Sequence, residues 1–265
     1  MHKIPFIKMH GQGNDYLFMF EKDIRHIKNI NKLSIAMSER HFGAGADGIV
    51  ILTETDEADI KMDIYNADGT FAEMCGTALR CTVSLIAKKL NQESIRILTS
   101  NGVKTGSLKK DDIVVNMGKA ALIESQIVTL DISKRQFSGY YISMGNPHFV
   151  IFERLTNDKE LELWGPQIEH DPFFINKTNV EFVEILPNNE LNIKVWERGS
   201  GITLACGTGA SASAFAAYKF MNMPNKLKTH LPGGELIVFL DKNEDIFVIG
   251  SVTEVYEGKF YYKEV

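Results

Sequence analysis

Met74-Cys75-Gly76-Thr77-Ala78 and Ala205-Cys206-Gly207-Thr208-Gly209 carry the same tripeptide, Cys-Gly-Thr, 131 residues apart. Moving outward from these two points, the chain matches itself at an offset of 131 or 132 residues. Gly13-Asn14 falls on Gly145-Asn146, Ile64-Tyr65-Asn66 on Val195-Trp196-Glu197, Gly102 on Gly233 or Gly234, and Gly118 on Gly250. The shared order and nearly constant offset read as two copies of one fold. The first copy covers residues 1–118 and the second 119–250, with the tail 251–265 expected to complete the first. No Pro/Gly/Ser-rich linker separates them, which predicts two domains packed directly together with a cleft at their junction.

Within each copy, short segments rich in β-branched and aromatic residues predict strands, at 48–52, 60–65, 113–117, 140–144, 192–196 and 236–239. Helical signals are fewer, at 30–40 and in the stretches that follow the cysteines, 79–90 and 210–221. The last is packed with Ala and Ser, whose small side chains let strands approach closely. The expected class is α+β: two pseudo-symmetric domains, each with strands wrapped around a central helix, and the active site in the interdomain cleft.

A length of 265 residues suits two ordinary domains. No segment has the unbroken apolar length of a membrane span, and residues 1–9 lack the features of a secretory signal, so a cytoplasmic location is expected. A net charge of −5 without a basic cluster argues against nucleic acid or an anionic membrane as partner. Three cysteines, an odd number, do not suggest a disulfide framework, so unoxidised thiols are expected. Neither their spacing nor that of the histidines suits zinc, and no metal is expected.

The order strand, loop, Cys-Gly-Thr, helix places each thiol at a helix N-terminus, where unpaired amides and the helix dipole favour negative charge. This predicts acidified, accessible thiols. The amides of Gly76, Thr77, Gly207 and Thr208 suit a carboxylate. Inverting the α-carbon of an amino acid requires a base on one face, an acid on the other, and stabilisation of the charge that develops between them. Two thiols and two helix ends supply these elements, so Cys75 and Cys206 are the candidate catalytic pair, exchanging roles between product and substrate enantiomers. Cys81 lies inside the helical stretch opposite Ala212 of the second copy and reads as core packing.

At these residues the chain resembles the diaminopimelate epimerases. The matching motifs run nearly end to end: Lys8-Met9-His10-Gly11-Gln12-Gly13-Asn14-Asp15, Gly45-Ala46-Asp47-Gly48, Asn66-Ala67-Asp68-Gly69, Ser143-Met144-Gly145-Asn146-Pro147-His148, Thr178-Asn179-Val180, and Glu197-Arg198-Gly199-Ser200-Gly201 before the second cysteine. The resemblance implies epimerisation of LL- to meso-diaminopimelate, toward lysine and peptidoglycan, with no cofactor. It implies a substrate cradle of Asn14, Asn66, Asn146, Asn179, Glu197 and Arg198, with His148 nearby and Tyr256 supporting a homodimer. Arg198 offers a planar fork for a distal carboxylate, and Glu197 a partner for an ammonium. The pattern departs at Thr77 and Ala78, where the family carries Asn and Gly, a change that bears on substrate preference. Two other readings compete: a pyridoxal-independent racemase of another amino acid, and a cysteine-nucleophile hydrolase or transferase with His148 as base. The last leaves the second Cys-Gly-Thr unexplained.

Overall fold

The computed structural model describes residues 1–110 and 112–263. Asp111, and Glu264 and Val265 at the end of the expected tail, lie outside the described residues. The chain divides into two units, Met1–Val115 with Ser251–Val265, and Asn116–Gly250. The first copy carries β1 (His2–Gly11), β2 (Asn14–Phe20), α1 (Glu21–Ile24), α2 (Ile30–Ser38), β3 (Gly48–Thr53), β4 (Ile60–Asn66), β5 (Phe71–Ala72), α3 (Gly76–Leu90), β6 (Ser94–Thr99), β7 (Gly102–Lys109) and β8 (Asp112–Gly118). The second carries β9 (Ala121–Leu122), β10 (Val128–Ile132), β11 (Arg135–Ser143), β12 (Pro147–Ile151), α4 (Asp158–Glu169), β13 (Asn179–Leu186), β14 (Glu190–Glu197), β15 (Gly201–Ile202), α5 (Gly207–Phe220), β16 (Lys226–Leu231), β17 (Gly234–Leu240) and β18 (Ile246–Gly250). β19 (Thr253–Tyr262) belongs to the first unit and lies antiparallel to β1, pairing His2 with Tyr262.

Strand pairing repeats step for step. In the first unit β1–β2 is antiparallel, β2–β3 parallel, β3–β4 antiparallel, β4–β6 parallel, and β6–β7–β8 antiparallel, with β5 folded back on β4. In the second, β11–β12, β12–β13, β13–β14, β14–β16 and β16–β17–β18 follow the same alternation, with β15 folded back on β14. Even the register carries over: Tyr16 pairs with Gly48 as His148 pairs with Asn179.

The two sheet faces do different work because side chains alternate along a strand. In the first unit Leu17, Met19, Ile49 and Ile51 face outward onto Leu33 and Met37 of α2. In the second, Phe149, Ile151, Val180 and Phe182 meet Leu161 and Ile168 of α4. The opposite faces enclose α3 and α5. Every residue from Gly76 to Ser84 of α3 and from Gly207 to Ala217 of α5 is buried, the pattern of a helix covered on all sides.

The expected helices are present, with the two central ones beginning directly after the cysteines rather than at 79 and 210. α4 was not expected. It stands opposite α2 at the repeat offset, but Gly165 and Pro166 interrupt its helical pattern. Gly165 is required by packing, since a Cβ there would come within 2.6 Å of the Trp196 ring. Asn157 caps the helix by accepting from the Glu160 amide at 3.2 Å.

Candidate active site

Cys75 is the N-cap of α3, in extended conformation (φ −144°, ψ 118°), and its sulfur accepts from the Ala78 amide at 3.4 Å. That is the place an Asp or Ser cap oxygen would take. Asn14, on β2, sets its Oδ1 3.5 Å from Sγ and donates its Nδ2 to Asp47 Oδ2 at 2.8 Å. Asp47 also accepts from the Asp15 amide at 3.1 Å and from Arg40 at 2.8 Å. Asp15 is ion-paired with Lys8 (2.8 Å) and Arg40 (3.0 Å). Burial acts to raise the Asp15 carboxyl, but these two cations outweigh it and hold it lowered. Asp47, by contrast, is raised, first by burial and then by the charge of Asp15. The asparagine beside Cys75 is thus aimed by a braced acidic pair that the motif reading quoted but gave no role.

Asn66 ends β4, and its Nδ2 is committed to Thr70 Oγ1 at 3.0 Å within the following turn. Gly76 and Thr77 are buried in the first turn of α3, and the Thr77 hydroxyl lies 3.5 Å from Arg80 Nη2. Ala78 has ordinary helical surroundings and is fully buried.

Cys206 caps α5 in the same way, accepting from the Gly209 amide at 3.3 Å. Its sulfur is 3.3 Å from Thr208 Oγ1, and Asn146 Nδ2 reaches the same hydroxyl at 3.5 Å. Asn146 Oδ1 is 3.0 Å from His148 Nε2, and His148 Nδ1 is 2.6 Å from Glu181 Oε1. His148 and Glu181 are both fully buried. Since both ring nitrogens meet oxygens that accept, this pair holds Asn146 with its amide nitrogen toward Thr208. Asn179 donates to Pro147 O at 2.7 Å and accepts from the Arg198 amide at 2.9 Å, so it fixes the start of the Arg198 turn. Arg198 is exposed and donates to Asn176 O at 3.2 Å. Glu197 accepts from Thr203 Oγ1 at 2.6 Å.

None of the three cysteines is joined in a disulfide. The expected acidity needs correction at Cys206. Burial, then the charges of Glu197 and Glu181, push this thiol well above its ordinary value, and the Thr208 hydroxyl and Gly209 amide only partly offset them. With 6% of its surface exposed it is also not openly accessible. Cys81 is buried and pushed up to about 12, as a core residue would be.

The residues missed from sequence are Glu181 and Arg80. Each is a single charge inside an apolar run, Val180-Glu181-Phe182-Val183 and Ala78-Leu79-Arg80-Cys81, and such a charge is buried only with a reason. Among the described residues no three His, Cys, Asp or Glu side chains gather to hold a metal. A cavity of about 540 Å³ in the first unit, lined by Pro5, Phe18, Phe20, Gly258 and others, includes none of the predicted residues.

Solved structures share this architecture. A probable proline racemase from Agrobacterium radiobacter matches 96% of the chain and 92% of its own at a TM-score of 0.74 and 12% identity. A hydroxyproline epimerase from Agrobacterium vitis matches 98% of the chain and 91% of its own at 0.71 and 13% identity. The fold is that of the two-domain epimerases and racemases. The family profile described as diaminopimelate epimerase matches residues 6–123 and 140–255. The diaminopimelate epimerase of Halothermothrix orenii is 37% identical, spanning 99% of both chains. That of Parabacteroides distasonis is 40% identical over 96% of this chain and 97% of the relative. The chain belongs to the diaminopimelate epimerase family.

Proposed function

We propose that the chain interconverts LL- and meso-2,6-diaminopimelate in the cytoplasm by passing an α-proton between two thiols. The carrying observation is that Cys75 and Cys206 cap equivalent buried helices of a duplicated fold in a member of this family. In each direction one cysteine, as thiolate, removes the α-proton, and the other, as thiol, delivers a proton to the opposite face. The amides of Gly76, Thr77, Gly207 and Thr208 receive the α-carboxylate and the charge that moves onto it. Arg198 and Glu197 take the distal carboxylate and ammonium, with Asn14, Asn66, Asn146 and Asn179 completing the cradle. No pyridoxal phosphate, metal or nucleotide enters the scheme.

The hydrolase reading is disfavoured, because the ring nitrogens of His148 engage Glu181 and Asn146 rather than a thiol. A homodimer involving Tyr256 is part of the same proposal. This tyrosine is 42% exposed, packs edge-on against Phe6, and donates to Ala44 O at 3.3 Å.

The test is incubation of metal-free protein with LL-diaminopimelate in D2O. One deuterium should appear at the α-carbon together with the meso isomer, without added cofactor. Exchange of another amino acid with diaminopimelate untouched would sink the substrate assignment. Inversion surviving in Cys206→Ala would sink the two-thiol scheme.

A further inference from the structure

Glu169, the last residue of α4, is 2% exposed and stands where the unpaired carbonyls of a helix end disfavour a negative charge. A carboxylate buried there persists only if donors answer it. Its Oε2 accepts from Trp196 Nε1 at 2.7 Å and its Oε1 from the Gly199 amide at 3.2 Å. Lys177 Nζ is 3.8 Å from Oε1, and His170 Nδ1 is 3.8 Å from Oε2. Gly165 precedes Glu169 by one helical turn on the same face of α4. Its missing side chain leaves the space in which the Trp196 ring lies against the helix, with Nε1 at the carboxylate.

The two donors, Trp196 and Gly199, flank Glu197 and Arg198 on either side. Within this turn Asn179 Oδ1 accepts from the Arg198 amide at 2.9 Å, and the Ser200 amide donates to Glu197 O at 3.0 Å. Arg198 Nη1 donates to Asn176 O at 3.2 Å, in the segment between α4 and β13 that also carries Lys177. Glu169 therefore meets both the turn that bears the guanidinium and the residue next to the carbonyl on which it rests. At the repeat offset of 131 residues the first copy has Ser38 for Glu169, Tyr65 for Trp196 and Ala67 for Arg198. Ser38 Oγ is buried without a hydrogen-bond partner among the described residues. The carboxylate and its indole donor occur in the copy whose turn carries an arginine and not in the other, so the shared fold does not itself require them.

We propose that Glu169 is a positioning residue for substrate recognition. By holding the Trp196 indole and the Gly199 amide, it fixes the turn that presents the Arg198 fork to the distal carboxylate. The inference rests on the reading of Arg198 under the proposed function. Amide exchange of the turn tests the positioning without substrate, so failure of the epimerase reading and failure of this one are distinct.

Steady-state kinetics with LL-diaminopimelate are compared for the wild-type chain and Glu169→Gln, in which an amide nitrogen must face one of the two N–H donors. KM should rise by about tenfold while kcat stays within about threefold, the mark of lost binding rather than lost chemistry. In an Arg198→Ala background the same substitution should change kcat/KM by less than about twofold, whereas a general structural defect would add to the loss of the arginine. In deuterium exchange read by peptide mass spectrometry, the 196–203 segment of Glu169→Gln should exchange about tenfold faster, with the other strands of the second unit unchanged. If Glu169→Gln does not fold, Trp196→Phe, which keeps an aromatic ring and removes the Nε1 donor, should raise KM by about threefold with kcat unmoved. An unmoved KM in the folded variant, losses that add to those of Arg198→Ala, or unchanged exchange in the 196–203 segment overturns the proposal. Where the wild-type chain leaves diaminopimelate untouched, the exchange result alone decides.

Discussion

Cys75 and Cys206 occupy one position in two copies of a fold, each accepting from the amide three residues on, yet the charged residues around them differ. Where the first copy has Arg80 the second has Ser211, whose hydroxyl turns back to Gly207 O at 2.8 Å. Where the first has Val50 the second has Glu181, and where the first has Asn66 the second has Glu197. Arg80 is a buried cation against Thr77 in the first turn of α3, and two carboxylates act on the second thiol. Duplication supplies matching geometry, while substitutions in each copy change the charged groups around it.

The comparison breaks most severely when either sulfur is removed. Cys75→Ala and Cys206→Ala should each lower the inversion rate by about 10³-fold or more, the scale of a lost acid or base. Following α-proton exchange separately from each substrate isomer checks whether each variant loses one half-reaction first.

Making the second copy resemble the first is the next largest change. Glu181→Val strands the buried His148 Nδ1 and should cost about 1–3 kcal/mol in urea unfolding. Glu181→Gln keeps a partner for that nitrogen but removes the charge. It should lower the Cys206 alkylation midpoint with less loss of stability, and an unchanged midpoint would show that Glu181 has no electrostatic effect on this thiol.

A smaller contrast concerns the residue three beyond each cysteine. Gly209→Ala drives a Cβ to 2.6 Å from Glu181 Oε1 and 3.3 Å from Cys206 Sγ, and should cost about 1–3 kcal/mol by overpacking. The matching Ala78→Gly meets no such neighbour and should cost only about 0.5–1 kcal/mol, as glycine in a helix does. Equal losses in thermal melts would mean that Glu181 does not dictate the glycine.

The last effect is silent near neutral pH and appears only at high pH. Cys81 is protonated in both folded and unfolded chains below its ordinary value of 9.0, but only the unfolded chain ionises between there and about 12. Its contribution is therefore complete below pH 9 and declines by about 1.4 kcal/mol per pH unit above it. Cys81→Ala, which copies Ala212, should flatten the alkaline side of the stability profile measured by urea midpoints.

The cysteine helices were legible because a repeat offset and an Ala/Ser-rich stretch are local properties of the string. The charge difference was not, since nothing local shows that Arg80 leans toward Thr77 or that Glu181 meets a histidine 33 residues away. The same limit applies to Asn66 and Asn179. Their motifs were plain, but only the fold shows one side chain committed to a turn and the other bracing Arg198. α4 was hidden by a glycine whose reason is the Trp196 ring, a contact made from a distant strand.

The pairing of β19 with β1 has a consequence for biosynthesis. Residues Asn116–Gly250 are contiguous, so that unit has all its strands as soon as it leaves the ribosome. The unit made first must wait for Thr253–Tyr262, synthesised after the whole of the second unit, before the edge of β1 is covered. The later-encoded half is thus positioned to mature earlier, and nascent chains truncated before residue 253 would expose an uncovered strand edge.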